Sequence, residues 1–220
     1  MFQQISSPSV LATDAQALQT TLKPEKNNST EIGVELMGES LGDPSLNGWQ
    51  LNVNYFRNAY DNKLRMFYIP FSPIAYYDNV QNAEISGLEV KASVFLIRKK
   101  LTLEFGSSNY SISEKAAFPF KAEHKHILNA LIEHAGFSAH IHGFKESEQV
   151  GWIRKSDGSF SEVRLKGYSN IDLHISKIIT LDNTEFFINF SGRNLLGDET
   201  RLEGLTLRDR RIYITFGVQY

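Results

Sequence analysis

The chain has no cysteine among its 220 residues. That excludes disulfides, thiolate zinc sites, iron–sulfur clusters and thiol catalysis together. No apolar run approaches the length of a membrane-spanning helix. The first ten residues, Met-Phe-Gln-Gln-Ile-Ser-Ser-Pro-Ser-Val, have neither the basic segment nor the apolar core of a secretory signal. Charge of one sign is scarce too: 23 Lys and Arg stand against 25 Asp and Glu, a net of −2 without a basic cluster. A nucleic-acid partner therefore has no electrostatic basis. Phosphate-binding glycine loops, a nucleophile elbow and a Ser/His/Asp spacing are also missing, which argues against an enzyme.

What the chain does have is alternation. From Arg211 to the carboxyl end it reads Arg-Ile-Tyr-Ile-Thr-Phe-Gly-Val-Gln-Tyr. Ile212, Ile214, Phe216, Val218 and Tyr220 fall on one face of a strand, and Arg211, Tyr213, Thr215, Gly217 and Gln219 on the other. A strand of about ten residues with one apolar face and an aromatic end suits a tilted bilayer crossing. It equally suits one half-buried strand of a soluble sandwich or barrel binding a sugar or lipid through its loops.

Upstream the same period recurs. Residues 1–28 read as irregular. Strands are then predicted over Glu31–Leu36, Trp49–Asn58, Lys63–Ile69, Gly87–Leu96, Leu101–Gly106, His124–His134, Phe137–Gln149, Asn170–Ser176 and around Phe186–Phe190, with the terminal strand making ten. Short connections are predicted at Asp61-Asn62, Lys99, Gly136 and Asp182, alternating with long ones, including a hairpin tip at Ser156-Asp157-Gly158. Short turns on one side and long loops on the other are the habit of transmembrane barrels.

The polar faces place Glu89, Lys91, Glu104, Asp172, His174 and Arg211 together as candidates for a solvated lumen wall. Phe71, Tyr76, Tyr77 and Trp152 lie in predicted connections and are candidate ligand-loop residues, a composition that interfacial aromatics share. The histidine pairs His124/His126 and His140/His142 invite a metal reading. Alternation sets His124 and His126 on the side of Leu128, Ala130 and Ile132, but His140 and His142 on the polar side, so the pairs do not converge and no metal or cofactor is expected.

Phe190-Ser-Gly-Arg-Asn-Leu-Leu-Gly-Asp198, followed by a charged loop and the alternating terminal strand, resembles the last hairpin of TonB-dependent outer-membrane receptors. Asn82-Ala-Glu-Ile-Ser-Gly-Leu-Glu-Val90 resembles a strand opening of the same family. Leu22-Lys-Pro-Glu25 with Glu31-Ile-Gly33 is similar to a periplasmic turn and ascending strand there. The loop Leu205-Thr-Leu-Arg-Asp-Arg-Arg211 departs from the family's usual Pro-Gly-Arg.

The resemblance implies an all-β transmembrane barrel segment occupying residues 29–220, with 1–28 on the periplasmic side. It implies outer-membrane lipid around Ile212, Ile214, Phe216, Val218 and Tyr220, which would also carry the signal read by the barrel-assembly machinery. It further implies TonB-coupled uptake of a ferric siderophore, haem, cobalamin or similar nutrient. Because the family joins a plug domain to twenty-two strands, the chain is expected to be the carboxyl-terminal part of such a receptor.

Overall fold

The computed structural model describes residues 22–40, 42, 45–68, 75–155, 157, 159–199, 201–202, 205–206 and 209–220. Period-two patterning produces strands almost throughout: β1 (Lys26–Glu39), β2 (Leu46–Tyr68), β3 (Ala75–Leu96), β4 (Leu101–Ile112), β5 (His124–His134), β6 (Phe137–Glu146), β7 (Gln149–Arg154), β8 (Phe160–Leu165), β9 (Tyr168–Leu181), β10 (Thr184–Arg193), β11 (Arg201–Leu202), β12 (Leu205–Thr206) and β13 (Arg211–Gln219). One sheet contains eleven of them, and two of these form the hairpin β7–β8. The remaining nine form an antiparallel meander in the order β1-β2-β3-β4-β5-β6-β9-β10-β13. β11 and β12 pair only with each other.

Register makes the sheet two-faced. One row of directly opposed residues runs Trp49, Val94, Leu103, Ala130, Ile141, Leu173, Gly192, Ile212, from β2 to β13. The next row runs Gln50, Ser93, Glu104, Asn129, His142, Asp172, and is polar throughout. A single-residue shift would exchange the faces, so the alternation fixes the register.

Among the described residues nothing covers the apolar face. Ile32, Val34, Trp49, Leu88, Phe105, Leu128, Ile141, Phe186, Ile188 and Ile212 are all exposed, and Phe216 is 72% exposed. A soluble sandwich would cover this face with a second sheet; among the described residues there is no such layer. Lys177 is a charged residue within the apolar belt, opposite Ile188, and its ammonium reaches down to the carbonyl oxygen of Ala135 at 2.8 Å. A lysine stem laid along apolar surface with its head at the boundary is the snorkelling geometry.

The connections β1–β2, β3–β4, β5–β6 and β9–β10 gather at one end of the sheet. Ile97 N donates to Ser45 O (2.9 Å), Glu133 N to Lys100 O (2.8 Å) and Ile178 N to Gly136 O (2.7 Å). Ala135 and Gly136 both have positive φ, +48° and +71°, as a two-residue hairpin requires. A Cβ on Gly136 would stand 2.7 Å from Ile178 O, against backbone. Gly136→Val is therefore expected to destabilise the chain in detergent by about 1–3 kcal/mol, read from denaturant unfolding, through backbone strain that nearby side chains cannot relieve.

The short turn expected at Asp61-Asn62 is not one. Asp61 pairs with Asn82 and Lys63 with Val80, so the chain runs straight on and absorbs the left-handed Asn62 (φ +53°) within the strand. Trp49–Asn58 and the described part of Lys63–Ile69, residues 63–68, merge into β2, and the wall has nine strands among the described residues where ten are predicted. The short-turn role passes to the β1–β2 connection. β1 consequently runs toward the short turns, and Leu22–Glu25 sits at the opposite end, where Glu25 binds Lys63 Nζ (2.9 Å) and Leu64 N (2.7 Å). Residues 1–21 lie outside the described residues.

At that loop end β2 and β3 extend past the apolar belt. The 23 residues of β2 reach roughly 75 Å at about 3.3 Å each, whereas a crossing takes about 9–11 residues. The polar-face side of this extension carries the small enclosed core. Ala83 and Ile85 of β3 are buried with Ala117, Ala122, Ile153 and Leu165, contributed by the β4–β5 connection and the β7–β8 hairpin. Phe120 N donates to Val150 O (2.8 Å), and Tyr68 bridges to Ile153. The hairpin thus reaches from β6 back to β2 on the polar side of the sheet.

Candidate functional site

The polar face is the candidate site. It is built from every second residue of β2 to β6 and β9, whose apolar alternates hold the register. All six proposed wall residues occur on it, but they do not meet at one point. Lys91 Nζ lies 3.4 Å from Glu104. Glu104 accepts from Ser93 Oγ (3.5 Å) and Asn129 Nδ2 (3.3 Å). Glu89 takes the Tyr110 hydroxyl at 2.5 Å. Asp172 accepts from Asn170 Nδ2 and Asn194 N, both 2.8 Å. His174 Nδ1 bonds Ser191 Oγ at 2.7 Å, and Arg211 pairs with Asp209 at 2.9 Å. Asn52, Asn54, Glu89, Lys91, Glu104 and Asn129 line a concavity of about 410 Å³. The arrangement is a mixed-charge surface that offers shallow polar contacts of both signs.

Two glycines explain themselves here. A Cβ on Gly87 would come 2.4 Å from the Tyr110 ring, so the Gly-x-Glu of β3 makes room for the tyrosine with its first residue and receives its hydroxyl with its last. Gly192 likewise leaves space for Leu195, whose side chain would be 2.8 Å from a Cβ there. Asn194 then turns with φ +50° and its N–H seals onto Asp172. This is the physical content of the Ser-Gly-Arg-Asn-Leu-Leu stretch.

The ligand-loop candidates divide. Tyr76 and Tyr77 belong to β3, where Tyr77 is exposed and pairs with Met66 of β2. They are strand residues because β3 begins at Ala75, well before the predicted strand. Trp152 is on β7, half-buried, with its indole nitrogen enclosed and unpartnered. Phe71 lies outside the described residues. At the hairpin tip Ser159 donates its N–H (2.9 Å) and hydroxyl (2.6 Å) to Asp157, and these bonds hold the Asp157 carboxyl below its ordinary value.

The histidines occupy both faces. His124 and His126 are on the apolar side at its loop-end border, where His126 stacks on Phe105 with 6.5 Å between ring centroids and contacts Ser107 Oγ at 3.1 Å. His140 and His142 are on the polar side. Sequence reasoning missed that His140 stands directly opposite His174, and His142 opposite Asp172. Twenty-one residues intervene between β6 and β9, and nothing in them announces the register.

Residues 2–197 match the family described as TonB dependent receptor-like, beta-barrel. Among solved structures the chain is similar to the pyoverdine outer membrane receptor FpvA from Pseudomonas aeruginosa PAO1 bound to pyoverdine, with TM-score 0.62 and 16% identity over 90% of this chain and 30% of that one. It is similar to the FrpB iron transporter from Neisseria meningitidis, with TM-score 0.59 and 17% identity over 90% and 31% of the two chains. It is similar also to BauA, the ferric preacinetobactin receptor from Acinetobacter baumannii, with TM-score 0.56 and 13% identity over 89% and 29%. The chain thus spans about 30% of the FpvA chain. No curated protein matches.

Proposed function

The chain belongs to the TonB-dependent receptor β-barrel family, a family of bacterial outer-membrane proteins, and on that premise we propose that it forms part of the wall of a receptor that takes up a scarce nutrient across that membrane. The observation that carries this reading is the exposed, mainly apolar face that runs across nine strands, backed by a face rich in polar and charged residues. An apolar surface this extended needs lipid or a second layer. The apolar residues of β13 face acyl chains in this reading, and the polar face lines water.

The class of nutrient is a metal chelate, as the name of BauA, the ferric preacinetobactin receptor, suggests for that protein. Haem and cobalamin are alternatives of the same kind. Tyr77 and Trp152, at the loop end, would meet the ligand first; Glu89, Lys91, Glu104, Asp172, His174 and Arg211 would meet it on passage. TonB supplies the energy through parts of the whole receptor, and the strand ending at Tyr220 addresses the barrel-assembly machinery. The proposed role is transport, not catalysis.

Site-directed spin labels test the facing. In lipid vesicles, labels at positions 214, 216 and 218 should be relaxed by dissolved oxygen, and labels at 213, 215 and 217 by a water-soluble nickel chelate. Protection of the even positions from both agents would sink the membrane reading. Uptake is tested separately, by measuring accumulation of a panel of radiolabelled ferric chelates in cells with and without the gene and with and without TonB.

A further inference from the structure

We propose that His140, His142, His174 and Asp172 form a binding site for a borderline divalent metal ion, of the copper, nickel or zinc class, on the polar face between β6 and β9. The register places two direct cross-strand pairs side by side: His140 opposite His174, and His142 opposite Asp172. Directly opposed residues have Cβ atoms about 4.5–5.5 Å apart, a separation two imidazoles can bridge through one ion with nitrogen–metal bonds of about 2.0–2.1 Å. Three of the chain's six histidines share this patch.

The hydrogen bonds favour the tautomer a metal needs. Asn129 donates its amide to Glu104 Oε2 at 3.3 Å, so its Oδ1 is left to accept from His142 Nδ1 at 2.6 Å. His142 therefore carries its proton on Nδ1, and the Nε2 lone pair is bare. An imidazole anchored at one nitrogen by a carboxylate-backed acceptor, with the other nitrogen open, is the usual outer-shell arrangement of metal-bound histidine. His174 Nδ1 contacts Ser191 Oγ at 2.7 Å, a hydroxyl that can either donate or accept.

As they stand the ligands are apart, with the His140 and His142 ring centroids 6.5 Å from one another. Among the described residues no three His, Asp or Glu groups converge on a metal position. His140 and His174 are exposed, and a change of rotamer at His174 exchanges its bond to Ser191 for the ion. The site assembles on binding and lets its ion go again, and imidazole selects copper, nickel or zinc over calcium or magnesium. Use of the site as a resting point for cargo depends on the uptake reading; metal binding does not.

Copper(II) titration of the full chain folded in detergent micelles, followed by electron paramagnetic resonance, is the test. One ion should bind with hyperfine splitting from at least two nitrogens. The His140→Gln/His174→Gln variant should bind about tenfold or more weakly, whereas His124→Gln/His126→Gln, on the other face, should bind as the parent does. Equal affinity in the first variant, or loss in the second, overturns the assignment. Should the first variant fail to fold, zinc protection of the unaltered chain from diethyl pyrocarbonate decides: His140 and His174 should be shielded and His124 and His126 modified, and modification of all four overturns it. A chain that binds copper here but supports no chelate uptake counts against the transport reading alone, and the converse result against this site alone.

Discussion

Phe216→Arg should destabilise the lipid-embedded protein by about 2–4 kcal/mol, while Thr215→Arg, one residue away, should cost little. Phe216 lies in the middle of the apolar run of β13, opposite Ile188, and is 72% exposed. In a bilayer that exposure is contact with acyl chains, where a guanidinium loses its hydration and has no partner. Thr215 is opposite Asn189 on the polar face, where arginine stays hydrated. Unfolding of both variants by guanidinium in thin lipid vesicles measures the difference. Equal costs at the two positions would contradict a lipid face.

The second large effect is expected at Gly217. A Cβ there would sit 1.9 Å from the ring of Phe187, which lies across the glycine from the neighbouring strand. Gly217→Val must displace that ring, and overpacking of this kind costs about 1–3 kcal/mol. Removing the obstacle should restore most of the loss, so Phe187→Ala/Gly217→Val should be more stable than Gly217→Val alone. A double-mutant cycle read from denaturant unfolding gives the coupling. Strictly additive costs would mean that the ring does not cover the glycine.

The wall was legible because its physics is periodic. Most strands of the meander announce themselves by parity, and the tight turns at Gly136 and Asp182 by residues that tolerate positive φ, whereas β8 and most of β7 fall in what reads as a long connection. Asp61-Asn62 misled for the same reason: Asn62 adopts the left-handed backbone a turn would use, but its neighbours on β3 continue the ladder on both sides. The hairpin tip at Asp157 was readable from local chemistry. Its docking onto Tyr68 was not, since a single bridge between residues 85 positions apart leaves no period behind.

For the site, sequence parity assigned Glu89, Lys91, Glu104, Asp172, His174 and Arg211 to one face. It could not say which of them touch. The contact of Lys91 with Glu104, the relay through Asn129 to His142 and the opposition of His140 to His174 all depend on which residue of one strand faces which of another. That choice is made by turns and by the packing of apolar alternates, at separations no short motif spans.

Direction along the wall carries one more consequence. Each of the nine strands is antiparallel to the next, so β1 and β13, which are paired on one flank only among the described residues, point the same way. Bending this sheet round until its flanks meet would join them as a parallel seam, and two copies standing upright side by side would have two such seams. In lipid an open flank leaves backbone groups unsatisfied at several kcal/mol apiece. A fully antiparallel ring that contains this wall therefore requires an odd number of further strands, the first and the last of them both running opposite to β1.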